Sequence, residues 1–205
     1  MNLRVSRFVF LLVAVATGCL PQVGPPNDAG APEGGGGGGG SMSASCTDGV
    51  MNGDESAIDC GGSCVACALN VACRSAIDCA SGLCRQSLCA TPSNPCGPAF
   101  SGCTQYVDLR DAGVANIRFP FQGNNRYSPD CLLVRYGQTV TFSGGDFSSH
   151  TLEQACGPVS GVIGASSGTS FSVTFDQGLG FYGYFCQQHG SSNGSGMAGS
   201  IEVVR

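Results

Sequence analysis

The chain holds two histidines, His150 and His189, and beyond residue 90 one methionine, Met197. Cys186 stands three residues before His189, and Met197 eight residues after it. A thiolate, two imidazoles and a weak thioether are the donor set of a copper ion that carries one electron, because Cu(I) and Cu(II) share it with little rearrangement. A distant His followed by Cys, His and Met in one short segment lets a single loop hold three ligands while another strand delivers the fourth. That order keeps a metal in a prebuilt pocket. With every position filled by protein, none is left open for a substrate, so the expectation is electron transfer and not an enzyme. Centres with further coppers need more histidines, and a binuclear thiolate-bridged centre would need a second Cys where Gln187 and Gln188 stand.

Each residue also has a plainer reading: His150 as a core or turn histidine, Cys186 as a disulfide partner, Met197 as core filling. Cysteine arithmetic bears on the second. Of fourteen cysteines, reserving Cys19 for lipid and Cys186 for metal leaves twelve, an even number for disulfides.

The elements that must position these residues begin near residue 116. Short runs of Val, Ile, Phe, Thr and Tyr alternate with Gly, Pro, Asn and Ser turns, which is all-β punctuation. Strands are expected over 116–121, 131–136, 139–143, 150–154, 171–175, 180–186 and 199–204, enough for a β-sandwich. Gly137-Gln138 predicts a tight two-residue hairpin between the second and third of these.

Tyr127-Ser128-Pro129, the run from Val134-Arg135-Tyr136-Gly137 to Thr141-Phe142, and Asp146-Phe147-Ser148-Ser149-His150 resemble the approach to the first ligand in plastocyanin- and pseudoazurin-type cupredoxins. Tyr182-Gly183-Tyr184-Phe185-Cys186-Gln187-Gln188-His189 and Gly196-Met197-Ala198-Gly199 resemble that family's Cys-x-x-His and Gly-Met-x-Gly ending. The resemblance spans about 100 residues and implies a Greek-key β-sandwich with one type 1 copper held by His150, Cys186, His189 and Met197. It also implies that His189 lies near the surface, where a redox partner such as a c-type cytochrome docks. The uncharged residues 190–194 around it predict docking that depends little on salt. The chain departs from the family in the seven residues, 190–196, between His189 and Met197, a longer loop than usual, so the axial role of Met197 is the least fixed part of the set. That both histidines and the late methionine fall on motif positions favours ligation over the plainer readings.

Eight cysteines, Cys46, Cys60, Cys64, Cys67, Cys73, Cys79, Cys84 and Cys89, crowd a stretch poor in large apolar residues, so disulfides must replace a core there. Ser56-Ala57-Ile58-Asp59-Cys60 returns nineteen residues later as Ser75-Ala76-Ile77-Asp78-Cys79, which suggests two related half-units. The stretch resembles Cys-rich repeats of secreted and surface proteins of myxobacteria, with no activity to carry over. Eight cysteines allow about 105 pairings, and the connectivity stays open. Asp48, Asn52, Asp54 and Asp59 offer oxygen ligands for calcium, but turn formation accounts for them equally well. Zinc at Cys64 and Cys67 would need reduced thiols in an oxidising compartment. Cys96, Cys103, Cys131 and Cys156 allow two further disulfides in three connectivities, of which Cys131 with Cys156 and Cys96 with Cys103 is the expectation.

At the N-terminus, Arg4 and Arg7 precede a short apolar run, and Ala16-Thr17-Gly18-Cys19 resembles a bacterial lipobox. That implies a signal peptide over residues 1–18, lipid on Cys19, and a membrane anchor; Leu20 favours the outer membrane. Residues 19–45, with seven consecutive glycines at 34–40, read as a disordered tether. The organisation is thus a signal, a lipid-anchored linker, a disulfide module over 46–90 and a copper-binding domain over 96–205. Nine scattered arginines, no lysine and a net charge of −5 argue against nucleic acid as a partner. The protein is expected to be a monomer. Rival functions are a surface module that sequesters or delivers copper, and a metal-free scaffold.

Overall fold

Strands whose side chains alternate in polarity bury one face, and the buried faces set where the sheets meet. The computed structural model describes residues 45–120 and 123–205. The expectations for the signal peptide, Cys19 and the tether up to residue 44 lie outside these. Eleven strands follow in chain order: β1 (Cys84–Arg85), β2 (Leu88–Cys89), β3 (Val107–Asp108), β4 (Ala115–Phe119), β5 (Cys131–Arg135) and β6 (Thr139–Gly144) come first. Then come β7 (Leu152–Cys156), β8 (Gly164–Ala165), β9 (Ser170–Thr174), β10 (Gly180–Gly190) and β11 (Gly196–Val204). Among the described residues the helical turns are two short 3-10 pieces, Ala76–Asp78 and Phe100–Gly102.

The sandwich is a six-stranded sheet in the order β3-β5-β11-β10-β7-β8 facing a three-stranded sheet β4-β6-β9. This is the all-β, Greek-key architecture with a disulfide-rich stretch before it. β4 buries Ala115, Ile117 and Phe119 and exposes Asn116 and Arg118. β6 adds Val140 and Phe142, and Tyr182 and Tyr184 of β10 meet them from the other sheet. Phe142 and Tyr184 stand edge to face at 5.1 Å between ring centroids, a geometry worth about 0.5–1.5 kcal/mol beyond area burial.

Two expectations need correction. Residues 131–136 and 139–143 do not form a hairpin: β5 pairs in parallel with β11 and β3, while β6 pairs with β4 and β9. Both edges of each strand are taken by other partners, so Gly137, at φ +83°, turns the chain from one sheet to the other. The disulfides are Cys96–Cys156 and Cys103–Cys131, not Cys131 with Cys156 and Cys96 with Cys103. Cys131, Ser200, Gly183 and Cys156 form one row across the six-stranded sheet. Three strand spacings, about 14 Å, separate the ends of that row, far beyond the reach of one disulfide.

The Cys-rich stretch closes with Cys46–Cys64 and Cys60–Cys67 in its first half and Cys73–Cys84 and Cys79–Cys89 in its second. Within each half the first cysteine bonds the third and the second bonds the fourth, so the two halves share one connectivity. The repeated aspartates serve turns. Asp59 accepts the Asp48 and Gly49 amides, and Asp78 accepts those of Gly62, Arg74 and Ser75. Asp48 and Asp54 likewise accept local donors from Val50, Asn52 and Ser63.

This stretch docks on the sandwich through Leu83, buried and bridged to Gly178, and through Leu179, whose amide donates to Gly82 O at 2.7 Å. Arg205 donates to Ile77 O at 2.8 Å. A Cβ at Gly82, where φ is +70°, would lie 2.8 Å from Leu179 Cβ, so the approach needs a glycine. The contact lies at the start of β10. Cys186 is six residues further along, about 20 Å away, toward the other pole of the sandwich.

Candidate metal centre

Regular β-structure would point Cys186 and His189, an odd number of residues apart, to opposite faces. The register between β10 and β11 breaks where they sit: Phe185 pairs with Ala198 and Gly190 with Gly196. Four residues, Cys186 to His189, therefore oppose Met197 alone. The bulge turns both donors to one point, with Cys186 Sγ 3.4 Å from His189 Nδ1. Gly190 and Gly196 close it, because a Cβ on either would strike backbone of the facing strand.

His150 arrives from the turn before β7. Asp146 Oδ1 accepts the Ser148 amide at 2.8 Å and shapes that turn. His150 Nδ1 lies 3.8 Å from Cys186 Sγ, and its ring stands edge-on to Phe119. The sulfur and one nitrogen of each imidazole all fall within 4.8 Å of one another. Metal–sulfur bonds of about 2.3 Å and metal–nitrogen bonds of about 2.0 Å at trigonal angles would hold S and N about 3.7 Å apart. The observed separations of 3.4 and 3.8 Å match the span of one ion.

Cys186 is fully buried and is the free cysteine among the described residues; His150 is half-buried and His189 exposed. Met197 is buried in the same cluster as Cys186. Burial, and next the neighbouring His189, holds the His150 imidazole below its ordinary pKa, in the neutral form a metal needs. The inner wall is aromatic, with Phe119, Tyr127 and Tyr184 packed on one another. Burial, and next Cys186, pushes the Tyr127 phenol far above its usual range, so it stays neutral beside the thiol.

Gln188 and Thr151 were not among the residues expected to serve this site. The Thr151 amide donates to Gln188 Oε1 at 2.8 Å, and Gln188 Nε2 donates to Thr151 Oγ1 at 2.9 Å. Thr151 follows His150 and Gln188 precedes His189, so this two-bond latch fixes the two histidine-bearing segments against each other. Gln188 Oε1 also accepts from Cys186 Sγ at 3.5 Å. Its only sequence signal was a polar amide between two candidate ligands.

No protein-family model matches the chain, and no curated protein matches it. Among solved structures, a purple cupredoxin from Nitrosopumilus maritimus is 24% identical, with 44% of this chain and 99% of that one covered and a TM-score of 0.34. A mutant of amicyanin is 21% identical over 45% of this chain and 83% of its own, also at 0.34. Pseudoazurin from Methylobacterium extorquens AM1 is 18% identical over 44% of this chain and 74% of its own, at 0.35. Each likeness covers less than half of this chain.

Proposed function

We propose that the chain binds one type 1 copper through His150, Cys186 and His189, with Met197 as the axial group, and carries single electrons at the bacterial envelope. The observation that carries this reading is a buried, unpaired thiol at 3.4 and 3.8 Å from two imidazole nitrogens in a chain whose other described cysteines are all in disulfides. A thiol kept out of six disulfides has a purpose other than cross-linking. When bound, copper would supply one-electron oxidation and reduction with little change of coordination. The chain's own part is to hold the donors fixed: the β10 bulge aims Cys186 and His189, and the Gln188–Thr151 latch sets His150 against them. The Phe119–Tyr127–Tyr184 wall excludes water from the sulfur. The exposed edge of His189 is the exit for the electron, toward a small redox protein such as a c-type cytochrome in a brief, weak encounter. Disulfide density supports an oxidising compartment, and the Cys19 motif supports a lipid anchor there, in the outer membrane.

Adding Cu(II) to the secreted protein tests this. A strong visible thiolate-to-copper band is expected at one copper per chain; Cys186→Ser abolishes it and Met197→Gln shifts it. Fast electron exchange with a soluble cytochrome c separates a carrier from a copper store. Colourless protein at stoichiometric copper would overturn the reading.

A further inference from the structure

We propose that residues 96–106 form a strap that positions the loop carrying His189 and Met197; its bearing on copper rests on the reading above. The sheet row Cys156, Gly183, Ser200, Cys131 crosses four strands. The strap crosses the same row on the sheet's outer face and is bolted at its start by Cys96–Cys156 and near its end by Cys103–Cys131. Along its length it touches the two central strands. A Cβ at Gly183 would lie 2.8 Å from Phe100 Cε1 and 2.9 Å from each sulfur of the Cys96–Cys156 bridge, so β10 carries glycine where the strap lies down. Tyr106 donates to Ser200 Oγ at 3.1 Å on β11 and packs its ring on Phe181.

From there the strap reaches the ligand loop. A Cβ at Gly194 would lie 2.7 Å from the Ser101 nitrogen and 3.3 Å from Phe100 Cζ. Phe100 thus spans from the middle of β10 to the tip of the loop. Ser101 sits at φ +60°, uncommon for a residue other than glycine and sustained where the surroundings fix it.

The loop needs such support. Residues 190–196 are Gly, Ser, Ser, Asn, Gly, Ser and Gly, with no apolar side chain to anchor them. Beyond the Gly190–Gly196 strand pair, their own bonds are few: Ser191 N to Ser195 O, Gly194 N to Ser191 O and Ser195 N to Asn193 Oδ1. A Gly-rich loop loses much entropy on ordering. The strap supplies the wall against which it orders, and this lets a long loop hold His189 and Met197 at fixed positions.

Amide hydrogen exchange on the metal-free, full chain tests this without copper. Phe100→Ala is expected to raise exchange at residues 191–195 at least tenfold while β4, β6 and β9 keep wild-type protection; Phe100→Leu should restore most of it. The double change Cys103→Ser with Cys131→Ser, which frees one bolt, should act in the same direction. In copper-loaded protein, Phe100→Ala should also change the visible band ratio and the reduction potential. Wild-type exchange in the loop of a folded Phe100→Ala or bolt-free variant would overturn the strap. Failure of the wild type to bind copper would overturn the function and leave the exchange result standing.

Discussion

The two folded regions solve the same problem with different materials. Eighteen buried residues, mostly aromatic and aliphatic, form the sandwich core, whereas the buried cluster of the Cys-rich region consists of four half-cystines, those of Cys67, Cys73, Cys79 and Cys89. Where apolar volume is scarce, cross-links that restrict the unfolded chain take over. The sandwich uses its own two disulfides for a different end, to fasten a strap outside a core already complete. Its remaining cysteine, Cys186, is kept clear of both uses.

Full reduction breaks this comparison most strongly. Each short-loop disulfide of the Cys-rich region contributes about 2–4 kcal/mol, so loss of all four should unfold residues 46–89 while β4, β6 and β9 keep their exchange protection. Hydrogen exchange with and without reductant reads both regions at once. The converse is Phe142→Ala, which opens a cavity in the sandwich and should cost about 3–5 kcal/mol there, with the four disulfides of the other region intact by mass mapping.

Asp78→Ala should cost the Cys-rich region about 2–3 kcal/mol in thermal melts, because three backbone amides lose their acceptor. Burial alone would raise the Asp78 pKa, but the Gly62, Arg74 and Ser75 amides outweigh it, and the net shift is downward. A depressed folded-state pKa stabilises above the unfolded value and is lost as pH falls through the folded one. Acid titration should therefore begin to weaken this region below about pH 4 and should leave Asp78→Ala less acid-sensitive than wild type.

The smallest effect is expected from Gln188→Ala, which removes the latch to Thr151 and no ligand. A loss of about tenfold in copper affinity is expected from competition with a chelator. Unchanged affinity would show that the β10 bulge and the turn before β7 hold the two histidines in place without the latch.

Much of the sandwich was legible in the sequence because alternating side chains report which face of a strand is buried. Seven runs lie within a few residues of β4, β5, β6, β7, β9, β10 and β11. Alternation does not report which strand is the neighbour. The link through Gly137-Gln138 thus read as a hairpin, although a turn with positive φ serves a corner between sheets equally well. The strap escaped notice because Gly97-Pro98-Ala99 has neither period, and β3 is two residues long. The disulfide partners followed from strand order, which depends on contacts distant in sequence. At the site, donor types and spacing singled out four residues, while the break in register that aims two of them lies in pairing with β11. Gln188 and Thr151 act through each other across 37 residues, a relation invisible until both strands are placed.

The central claim is that one sulfur and two imidazole nitrogens share a single ion. X-ray absorption at the copper edge of the loaded protein reads those neighbours directly. One short sulfur contact with two nitrogens at about 2 Å is predicted, with the sulfur absent in Cys186→Ser. A shell of nitrogen and oxygen alone in the wild type would contradict it.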